Sequence, residues 1–540
     1  MNAVNEDRIS RYLTARAATL HLPPGQLDAV VRRAGRRRRN RRAAAAAAVV
    51  AVVGVSAAIV LPGDDPRPAD VAVRPAGEGA GEVVASPLDW SVVEATSGLG
   101  FVSGPGTVAA DDGSVYALST APGARDIESP RPPATLYRSV DGAEWSPVAL
   151  PEGFWPAAVA SAGERVYAVG TAPAGGGVTD RLATSADGGA TWETLEVGSG
   201  LADLLARHPG EVRPGSQSVA ADDGTIVVTT TIHGNLDLEA RVPDGLPADG
   251  YSAEITTDGV VVTPAACGDG WAVPRGTDPR RPQADEAGPP PAPPPSACDP
   301  EAPAQPATYT WDDLGVDDEL RDIVLHGRTL VAVSAGGDGF TPVDLGDGLA
   351  GGIVVAGDDG FTLFAVRGGT PGSPGSGTTE VHRSADGVTW TAAGELDGYL
   401  VSAGVVDGRP AAAVADLTRG AAIWTADGSG SWWSVDPRTA LDDPEASVST
   451  VAFGPLGWAA VVNPPVGEDG GRAWPPAVVH SLDGRTISTV PLDDLVDPAD
   501  LGGLDVSVTA DAVLVRATAP YDGDPTTPPV QRVVVGTPAD

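Results

Sequence analysis

The chain has 540 residues and a formal net charge of −37, and it is rich in Gly (69 residues) and Pro (51 residues). This Gly and Pro content favours many turns and argues against a mainly helical protein. Residues 1–42 carry 11 Arg and 3 acidic residues, whereas the remainder carries 24 Arg and 69 acidic residues. So acidic a remainder disfavours a soluble nucleic-acid-binding protein, and we expect no nucleic-acid partner.

Residues 43–61, AAAAAAVVAVVGVSAAIVL, form an uncharged apolar run of 19 residues. As a helix, this run is long enough to cross a hydrocarbon core of about 30 Å. Eight Arg residues lie just before it, within residues 32–42, so the positive-inside rule places the N-terminus in the cytoplasm and residues 62–540 outside. We therefore predict an uncleaved signal anchor that spans the lipid bilayer once. The alternative is a cleaved signal peptide, although Ile59-Val60-Leu61-Pro62 is a poor cleavage site.

The predicted cytoplasmic segment, residues 1–42, is short and Arg-rich. Apolar residues have helical spacing within 9–20 and again within 27–34, which predicts two small helices. The Arg-rich lead into an Ala/Val span resembles the membrane segments of actinobacterial proteins, including some anti-sigma factors. A transmembrane sensor or anti-sigma-like regulator is therefore an alternative function. A zinc-binding anti-sigma domain is not matched, because His21 is the only His in this segment and Cys is absent from it.

Residues 62–86 have the composition of a Pro/Gly/acid linker, and one phrase recurs in the domain that follows, residues 87–540. Its complete copy is Ser185-Ala-Asp187-Gly188-Gly189-Ala-Thr191-Trp192. Variant copies keep the order of a hydroxyl residue, Asp and Gly, and they centre on Asp141, Asp386, Asp427 and Asp483. Intervals between neighbouring Asp residues include 46, 41 and 56 residues. Periods of about 40 to 50 residues are typical of β-propeller blades.

The phrase resembles the Asp-box, or BNR repeat, S-x-D-x-G-x-T-W, of sialidase-like β-propellers. The resemblance implies that each box forms the turn between the third and fourth strands of a blade, with Asp bonded to the turn backbone and Trp packed beside it. The residue chemistry agrees, because a short acceptor caps turn amides and Gly supplies a positive φ. We therefore expect the five Asp residues of the boxes to be structural rather than catalytic: Asp141, Asp187, Asp386, Asp427 and Asp483.

A second unit precedes the boxes and consists of an apolar strand, a tight polar turn and another apolar strand. This pattern predicts a β-hairpin. Eight such hairpins are predicted, at or near residues 108–118, 158–169, 219–228, 322–334, 353–366, 401–415, 449–462 and 505–518. The fourth lacks a recognisable box. The sequence therefore predicts an all-β protein, a seven- or eight-bladed β-propeller with Asp-box turns, and leaves both counts open.

Residues 310–316 match residues 191–197 in their order of Thr, Trp, acidic and aliphatic residues, which predicts the fourth strand of the third blade. Its third strand is predicted at 253–257, and an insertion at about 260–307 separates the two. The insertion contains the run PPPAPPP and both Cys residues of the chain, Cys267 and Cys298. We expect these to form a disulfide outside the cytoplasm. Two Cys residues alone make a poor zinc site, and we expect no metal site there.

The two ends of the repeat region complement each other. Residues 90–92, Trp-Ser-Val, echo the outer strands that begin at Trp145 and Trp433, although no hairpin precedes them. The last repeat stops after its third strand, at 530–535. We therefore predict that residues 89–95 complete the final blade, which closes the ring and leaves no open edge there.

The turns between strands one and two and between strands three and four share one face of a propeller. The other loops share the opposite face, and here they are long, at 121–134, 232–250, 368–378, 464–476 and 520–529. Binding concentrates on variable loops carried by a rigid scaffold, so we expect this long-loop face to contact a partner. Its candidate binding residues are Phe154, Trp155, Arg241, Tyr399, Arg472 and Trp474.

A sialidase-like glycoside hydrolase is the leading enzymatic alternative. The resemblance implies three convergent Arg residues, a Tyr activated by Glu and an Asp acid. Neither an Arg-Ile-Pro nor an Arg-Leu-Pro signature occurs near the first predicted blade, and Arg241-Val242-Pro243 falls in the third. The six His residues lack ligand spacing, and we expect no cofactor. Acidic pairs such as Asp222-Asp223 leave Ca²⁺ as a cation to consider, although their place before Gly is explained by hairpin turns.

The function that these patterns favour is non-enzymatic. We expect a membrane-anchored extracytoplasmic propeller that serves as a binding or scaffold module for an envelope protein or a glycan. Glycoside hydrolysis and transmembrane regulation are the two alternatives.

Overall fold

The computed structural model describes much of the chain between residues 83 and 539. The described residues are 83–94, 102–110, 114–119, 134–140, 144–174, 177–243, 251–264, 306–336, 339–346, 348–367, 378–416, 420–427, 431–465, 474–519 and 531–539. The predicted cytoplasmic segment 1–42, the predicted transmembrane helix 43–61 and nearly all of the linker 62–86 lie outside the described residues. Among the residues that are described, none belongs to a helix long and apolar enough to cross a bilayer.

The described strands pair into small sheets, which confirms an all-β fold. Seven of these sheets, named I to VII in chain order, each contain four antiparallel strands, numbered first to fourth across the sheet. The first strands are β3 (Val102–Ala109), β7 (Trp155–Ala162), β11 (Val212–Asp222), β18 (Leu349–Gly357), β22 (Tyr399–Val406), β26 (Ser447–Gly454) and β30 (Gly503–Val508). The second strands are β4 (Val115–Ser119), β8 (Arg165–Ala174), β12 (Thr225–Gly234), β19 (Gly360–Arg367), β23 (Arg409–Asp416), β27 (Gly457–Asn463) and β31 (Val513–Thr518). The third strands are β5 (Thr135–Ser139), β9 (Gly177–Ser185), β16 (Arg328–Ala335), β20 (Thr378–Ser384), β24 (Gly420–Ala426), β28 (Ala477–Ser481) and β32 (Gln531–Pro538). The fourth strands are β6 (Ser146–Pro147), β10 (Glu193–Glu196), β17 (Thr341–Val343), β21 (Thr391–Asp397), β25 (Trp432–Val435), β29 (Ile487–Pro491) and, in sheet VII, β2 (Leu88–Glu94).

The seven sheets contact one another in cyclic order. The first strand of each sheet contacts the first strand of the next, and β30 of sheet VII contacts β3 of sheet I. The first strands therefore surround the centre of the ring. Second strands such as β4 and β27 are buried along most of their length, and they read as continuous apolar runs because both of their faces are covered. A closed ring of radially packed sheets is the arrangement of a β-propeller.

The N-terminal strand closes the ring. Strand β2 is the fourth strand of sheet VII and pairs antiparallel with β32, with Val92 opposite Val534. The prediction that a strand at about 89–95 completes the last repeat is therefore confirmed. Just before it, the short strand β1 (Val83–Val84) pairs in parallel with β29 at the edge of sheet VI. The N-terminal segment thus covers the outer edges of two neighbouring sheets.

Ser86 lies between β1 and β2 and joins them to the core of sheet VI. Its hydroxyl accepts from the Leu88 amide at 3.2 Å and from the Trp90 indole Nε1 at 3.0 Å. It also lies 3.1 Å from Nε2 of His480, a fully buried residue of β28. The Trp90 and His480 rings contact each other, with centroids 5.7 Å apart. Nδ1 of His480 has no hydrogen-bond partner among the described residues.

The complete Asp-box forms the turn between β9 and β10. Asp187 accepts from the Thr191 amide at 2.8 Å and from the Thr191 hydroxyl at 2.6 Å. These bonds hold its pKa at about 2. The Ser185 hydroxyl accepts from the Gly189 amide at 2.8 Å, and the Trp192 indole donates to the Gly189 carbonyl at 3.1 Å. The carboxylate of the box thus organises the turn.

Variant boxes repeat this bonding. Asp386 accepts from the Thr389 amide at 2.7 Å, and Asp483 accepts from the Thr486 amide at 2.7 Å. Asp427 accepts from the Ser431 amide at 3.0 Å. The fifth predicted box residue, Asp141, lies outside the described residues.

The glycine of a box also permits contact between sheets. Gly387 has a φ of +77°, and a Cβ atom there would lie 2.9 Å from Cγ2 of Val227 in the neighbouring sheet III. Any larger residue would be strained in its backbone and would collide with that sheet. The box of sheet IV therefore closes its own turn and packs against the sheet before it.

Seven of the eight predicted hairpins are present as first and second strands of sheets I to VII. The exception is the predicted hairpin at 322–334. Helix α3 (Asp318–His326) occupies its first half, and β16 follows. The helix forms because Asp317 caps it through the Leu320 amide at 2.8 Å, while Leu320, Ile323 and Val324 face the core at helical spacing.

The third sheet contains a longer excursion than predicted. Its second and third strands, β12 and β16, are adjacent in space but separated by residues 235–327. This excursion includes α2 (Leu238–Arg241), a separate three-stranded sheet and α3. The three strands of that sheet are β13 (Tyr251–Thr256), β14 (Gly259–Pro264) and β15 (Ala307–Thr310). The predicted insertion at about 260–307 lies inside this excursion, and Cys267 and Cys298 lie outside the described residues.

The prediction that residues 253–257 and 310–316 form the third and fourth strands of the third sheet was wrong. The first segment lies in β13 and pairs with β14, while Thr310 ends β15 and a turn follows it. The fourth strand of sheet III is instead β17. Buried apolar residues join the excursion to sheet III and to helix α1 (Leu201–Arg207), among them Leu204, Ile232, Trp311 and Ile323.

We predict that stability depends on pH through His480, because its burial lowers its pKa to about 4. The unfolded state, with a pKa of about 6.5, takes up the proton first as the pH falls. The free energy of unfolding should therefore decrease between about pH 6.5 and pH 4, by about 3 kcal/mol in total. His480→Gln removes this titration and keeps a polar group near Ser86.

Urea denaturation at neutral and at acidic pH measures this effect. The wild type should lose more stability on acidification than His480→Gln, while His326→Gln, a change at a partly exposed position, should behave as the wild type. Equal pH dependence in the wild type and His480→Gln would contradict the prediction.

Candidate functional site

The strand directions define the long-loop face. The first to fourth strands of each of the seven sheets run antiparallel to their neighbours, so the start of every first strand and the end of every second strand lie at the same edge. That edge carries α1, the excursion of sheet III and the loops that follow the other second strands. The opposite edge carries the hairpin turns and the Asp-boxes. The structure therefore separates the short turns from the long connections, as the sequence predicted.

Six of the seven first strands contain a β-bulge near their start. The pairing register shifts between Val102 and Thr107, Pro156 and Ala158, Pro214 and Gln217, Ala350 and Ile353, Leu400 and Ser402, and Val448 and Thr450. Bulges occur often at the rims of closed sheets, where they redirect side chains. These shifts lie at the long-loop ends of the innermost strands, and they therefore surround the centre of that face.

The residues skipped at these bulges are small and uncharged wherever their side chains are described. They are Ala157, Gly215, Ser216, Gly351, Gly352, Val401 and Ser449, which we call the bulge ring. Val401 is 45% exposed, an unusual position for a β-branched apolar side chain. The bulge ring therefore forms a neutral rim.

A pocket of about 360 Å³ adjoins the bulge ring between sheets VI and VII. Ser447 and Ser449 of β26 and Asn463 at the end of β27 supply polar groups to its lining. Pro464 and two leucines, Leu501 and Leu504, supply apolar surface. We call this cavity the VI–VII pocket.

Three of the predicted binding residues lie where first strands begin. Phe154 is buried beside Ala168 and Ala183, so it belongs to the core of sheet II. Trp155, the first residue of β7, is 43% exposed on the long-loop face. Tyr399, the first residue of β22, is partly exposed. The structure places Trp155 and Tyr399 in sheets II and V, so they belong to different parts of the face.

Two others have structural contacts. Arg241 donates to the Leu314 and Gly315 carbonyls, each at 2.8 Å, and pairs with Glu211. It thus fastens the excursion of sheet III. Trp474 donates from Nε1 to the Asp443 carboxylate at 2.8 Å. The sixth residue, Arg472, lies outside the described residues.

Ionisable groups on the long-loop side form local pairs. Glu319 of α3 accepts from Nε and Nη2 of Arg207 in α1, both at 3.0 Å, and lies 3.1 Å from Nε2 of His208. At the start of β20, Glu380 accepts from Arg367 Nη2 at 3.1 Å and lies 3.0 Å from His382 Nε2. These charges neutralise one another and hold loops and strands in place.

Asp180 is a buried carboxyl that the sequence analysis did not single out. It lies in β9 and accepts from Gln217 Nε2 at 3.0 Å, from the Thr230 hydroxyl at 3.1 Å and from the Ser199 hydroxyl. Burial raises its pKa, and the three hydrogen bonds oppose that shift. Its partners come from sheet III and from the connection to it, so the carboxyl joins sheets II and III.

A second carboxyl with a raised pKa lies in sheet VII. Asp505 of β30 pairs with Arg516 of β31 at 2.8 Å. Desolvation raises the pKa of Asp505, and the Arg516 charge opposes it. Asp500, a few residues before it, pairs with Arg532 at 3.6 Å. Both acids beside the VI–VII pocket thus have an Arg partner.

Within the described ranges, no group of three or more His, Cys, Asp or Glu side chains is placed to hold a metal ion. The absence of a cofactor stays a prediction, and so does Ca²⁺ as the cation to consider.

No family model matches the chain, and no curated protein matches it. Among solved structures, it is similar to the Trypanosoma rangeli sialidase in complex with 2,3-difluorosialic acid, at 12% identity and a TM-score of 0.31, over 74% of this chain and 56% of that one. A Hadza microbial sialidase matches at 12% identity and a TM-score of 0.33, over 80% and 65% of the two chains. A Niastella koreensis GH74 enzyme matches at 14% identity and a TM-score of 0.32, over 80% and 60%.

The chain therefore spans less than two thirds of the length of each of these three proteins. Two of them are sialidases, the family whose Asp-boxes the sequence resembles. At this identity and TM-score, the likeness assigns neither an activity nor a site residue to this chain.

We predict that Asp180→Asn increases the free energy of unfolding at neutral pH. A raised folded pKa means that the folded state holds the proton more tightly, so the carboxyl costs stability as the pH rises from its unfolded value through its folded value. Asn removes that cost and still bonds the amide and hydroxyl partners. Asp180→Leu should instead lose about 2 kcal/mol or more, because buried polar partners are left without bonds.

Thermal and urea denaturation of both variants at several pH values measure these changes. The exposed Asp258→Asn serves as the matched control and should not alter stability. The interpretation is wrong if Asp180→Asn is less stable than the wild type at neutral pH, or if its advantage does not shrink in acid.

Proposed function

We propose that residues 83–539 form a seven-bladed β-propeller that binds an envelope protein or a glycan on its long-loop face. The proposal rests mainly on the bulge ring. A small, neutral rim lets a partner approach the centre of the face without the cost of desolvating charges. Some ionisable side chains on this face are engaged with one another, as Glu319 is with Arg207. Such a surface suits recognition through shape and hydrogen bonds.

A glycoside hydrolase is the second candidate, because the similar solved structures are sialidases and a GH74 enzyme. By their names they favour this alternative over a binding module. Glycosidases generally place two carboxyl groups on either side of the scissile bond, one of them with a raised pKa. In the described part of the chain, the carboxyls with raised pKa are Asp180 in sheet II and Asp505 in sheet VII. Each already has partners, which supports binding over hydrolysis.

We predict that Val401→Asp reduces partner capture at least about tenfold, because it adds a charge to the neutral bulge ring that a bound partner would have to desolvate. The measurement is a pull-down from envelope extracts with the full chain as bait. Val388→Asp is the matched control: Val388 is 52% exposed, but it lies in the Asp-box turn on the opposite face. That control should capture the partner as well as the wild type does.

A glycoside-substrate screen on the same protein separates the two candidates. A saturable partner without turnover supports the binding module. Turnover that Asp505→Asn abolishes would instead establish the hydrolase. Equal loss of capture in Val388→Asp and Val401→Asp would contradict the assignment of the binding face.

We further propose that residues 43–61 anchor this propeller in the cell membrane, with residues 1–42 in the cytoplasm. The support is the apolar run and the Arg residues before it. Protease added to intact, wall-stripped cells should remove the propeller and spare residues 1–42. A fully protected propeller would contradict this topology.

A further inference from the structure

The VI–VII pocket combines groups that the proposed function does not yet use. Its volume of about 360 Å³ lies at the lower end of the range for small-molecule sites, roughly 300 to 1,000 Å³. It opens beside the bulge ring and is formed by two neighbouring sheets. Such a cavity holds a small group rather than a folded partner.

The polar side of the pocket offers several hydrogen bonds at short spacing. Ser449 is the residue skipped at the bulge of β26, and the shift between Val448 and Thr450 leaves both Ser447 and Ser449 exposed. The Ser449 hydroxyl approaches the Val461 carbonyl only at 3.4 Å, a weak contact. On the neighbouring strand β27, Asn463 pairs with Ser447, and its side-chain amide carries two donor hydrogens and one acceptor. These groups can both donate to and accept from ligand hydroxyls.

The other side of the pocket is apolar and fixed. Leu501 is only 4% exposed, and Leu504 packs against the core shared by sheets VI and VII. Pro464 directly follows Asn463 and adds a rigid ring. A ligand with C–H groups on one face and hydroxyls at its edge matches a pocket that is lined by both apolar and polar residues.

Among the described residues, the charges near the pocket disfavour an ionised ligand. All of its lining residues are uncharged. The acids that neighbour the lining leucines, Asp500 and Asp505, pair with Arg532 and Arg516. A carboxylate ligand would lose its hydration without gaining an available cation from the described residues near the pocket.

We propose that the VI–VII pocket binds a neutral, hydroxyl-rich ligand of the size of one sugar ring. This inference rests on the proposed function of the long-loop face and specifies the ligand class for one part of it. The proposed ligand is neutral, unlike the ligand of proteins that recognise an acidic sugar through its carboxylate.

Saturation-transfer NMR with the full chain tests the proposal. The probes are glucose, galactose and N-acetylglucosamine, with N-acetylneuraminic acid as the charged comparison. At least one neutral sugar should bind, and its Kd should rise at least about tenfold in Asn463→Leu and in Ser449→Trp, which fills the pocket from an exposed position. Asn235→Leu makes the same substitution away from the pocket and should leave binding unchanged.

Three results would overturn the proposal: binding of none of the neutral sugars, binding that persists in both pocket variants, or tighter binding of N-acetylneuraminic acid. Partner capture that is lost in Val401→Asp would still support the proposed function in each of these cases. Failure of the pocket assignment is therefore distinguishable from failure of the binding module.

Discussion

Pairing between β2 and β32 is the constraint on which the rest of the fold depends. Without it, sheet VII would end at β32 and expose a row of backbone donors and acceptors at its edge. The pairing joins residues near 90 to residues near 534, so the two ends of the repeat region hold the ring together. Because β1 adds a parallel pair on sheet VI, the same N-terminal segment links two neighbouring sheets. Ser86 and His480 join that segment to the core, which couples ring closure to a titratable group.

The closed ring separates structural roles between the two faces. On one face, the boxes bind their own turns, as Asp187 does through Thr191, and their glycines pack against the preceding sheet. On the other face, the connections differ in length and are held individually by polar contacts, such as the buried ones of Asp180 and the partly exposed ones of Glu319. A change in one of these connections therefore leaves the pairing of the seven sheets intact. This separation explains how a regular repeat can carry an excursion as long as that between β12 and β16.

Local patterns in the sequence predicted what depends on local interactions. The Asp-boxes and seven hairpins each have a signal within a few residues, whereas the closing strand was predicted by comparing the two ends of the repeat region. The separate three-stranded sheet of the excursion was missed because its residues were assigned to sheet III. The actual partner of β12 is β16, which follows after 93 intervening residues, and no local pattern encodes that pairing. Helix α3 was mistaken for a strand because its apolar residues, the segment 326–329 with its Gly, and the apolar part of β16 follow one another in the order of a hairpin. For the site, residue type was a poor guide: Arg241 and Trp474 have the chemistry of binding residues, but their polar groups bind Glu211 and Asp443. The bulge ring consists of Gly, Ala, Ser and Val, which are not distinctive in a sequence and become so only when register shifts bring them to one rim.

The distribution of acidity argues for binding more strongly than the absence of a motif does. Most glycosidases require a proton donor and a second carboxyl that share one solvent-accessible space. Asp180 has the raised pKa that a proton donor needs, but burial between sheets II and III produces that shift, and Ser199, Thr230 and Gln217 occupy its oxygens. Asp505 is partly exposed, but its neighbour Arg516 opposes protonation. In both cases the structural role of the carboxyl accounts for its pKa. The bulge ring and the VI–VII pocket, which are accessible, are neutral. Among the described residues, each carboxyl with a raised pKa is thus held by partners of its own, and this arrangement supports the proposed non-covalent recognition.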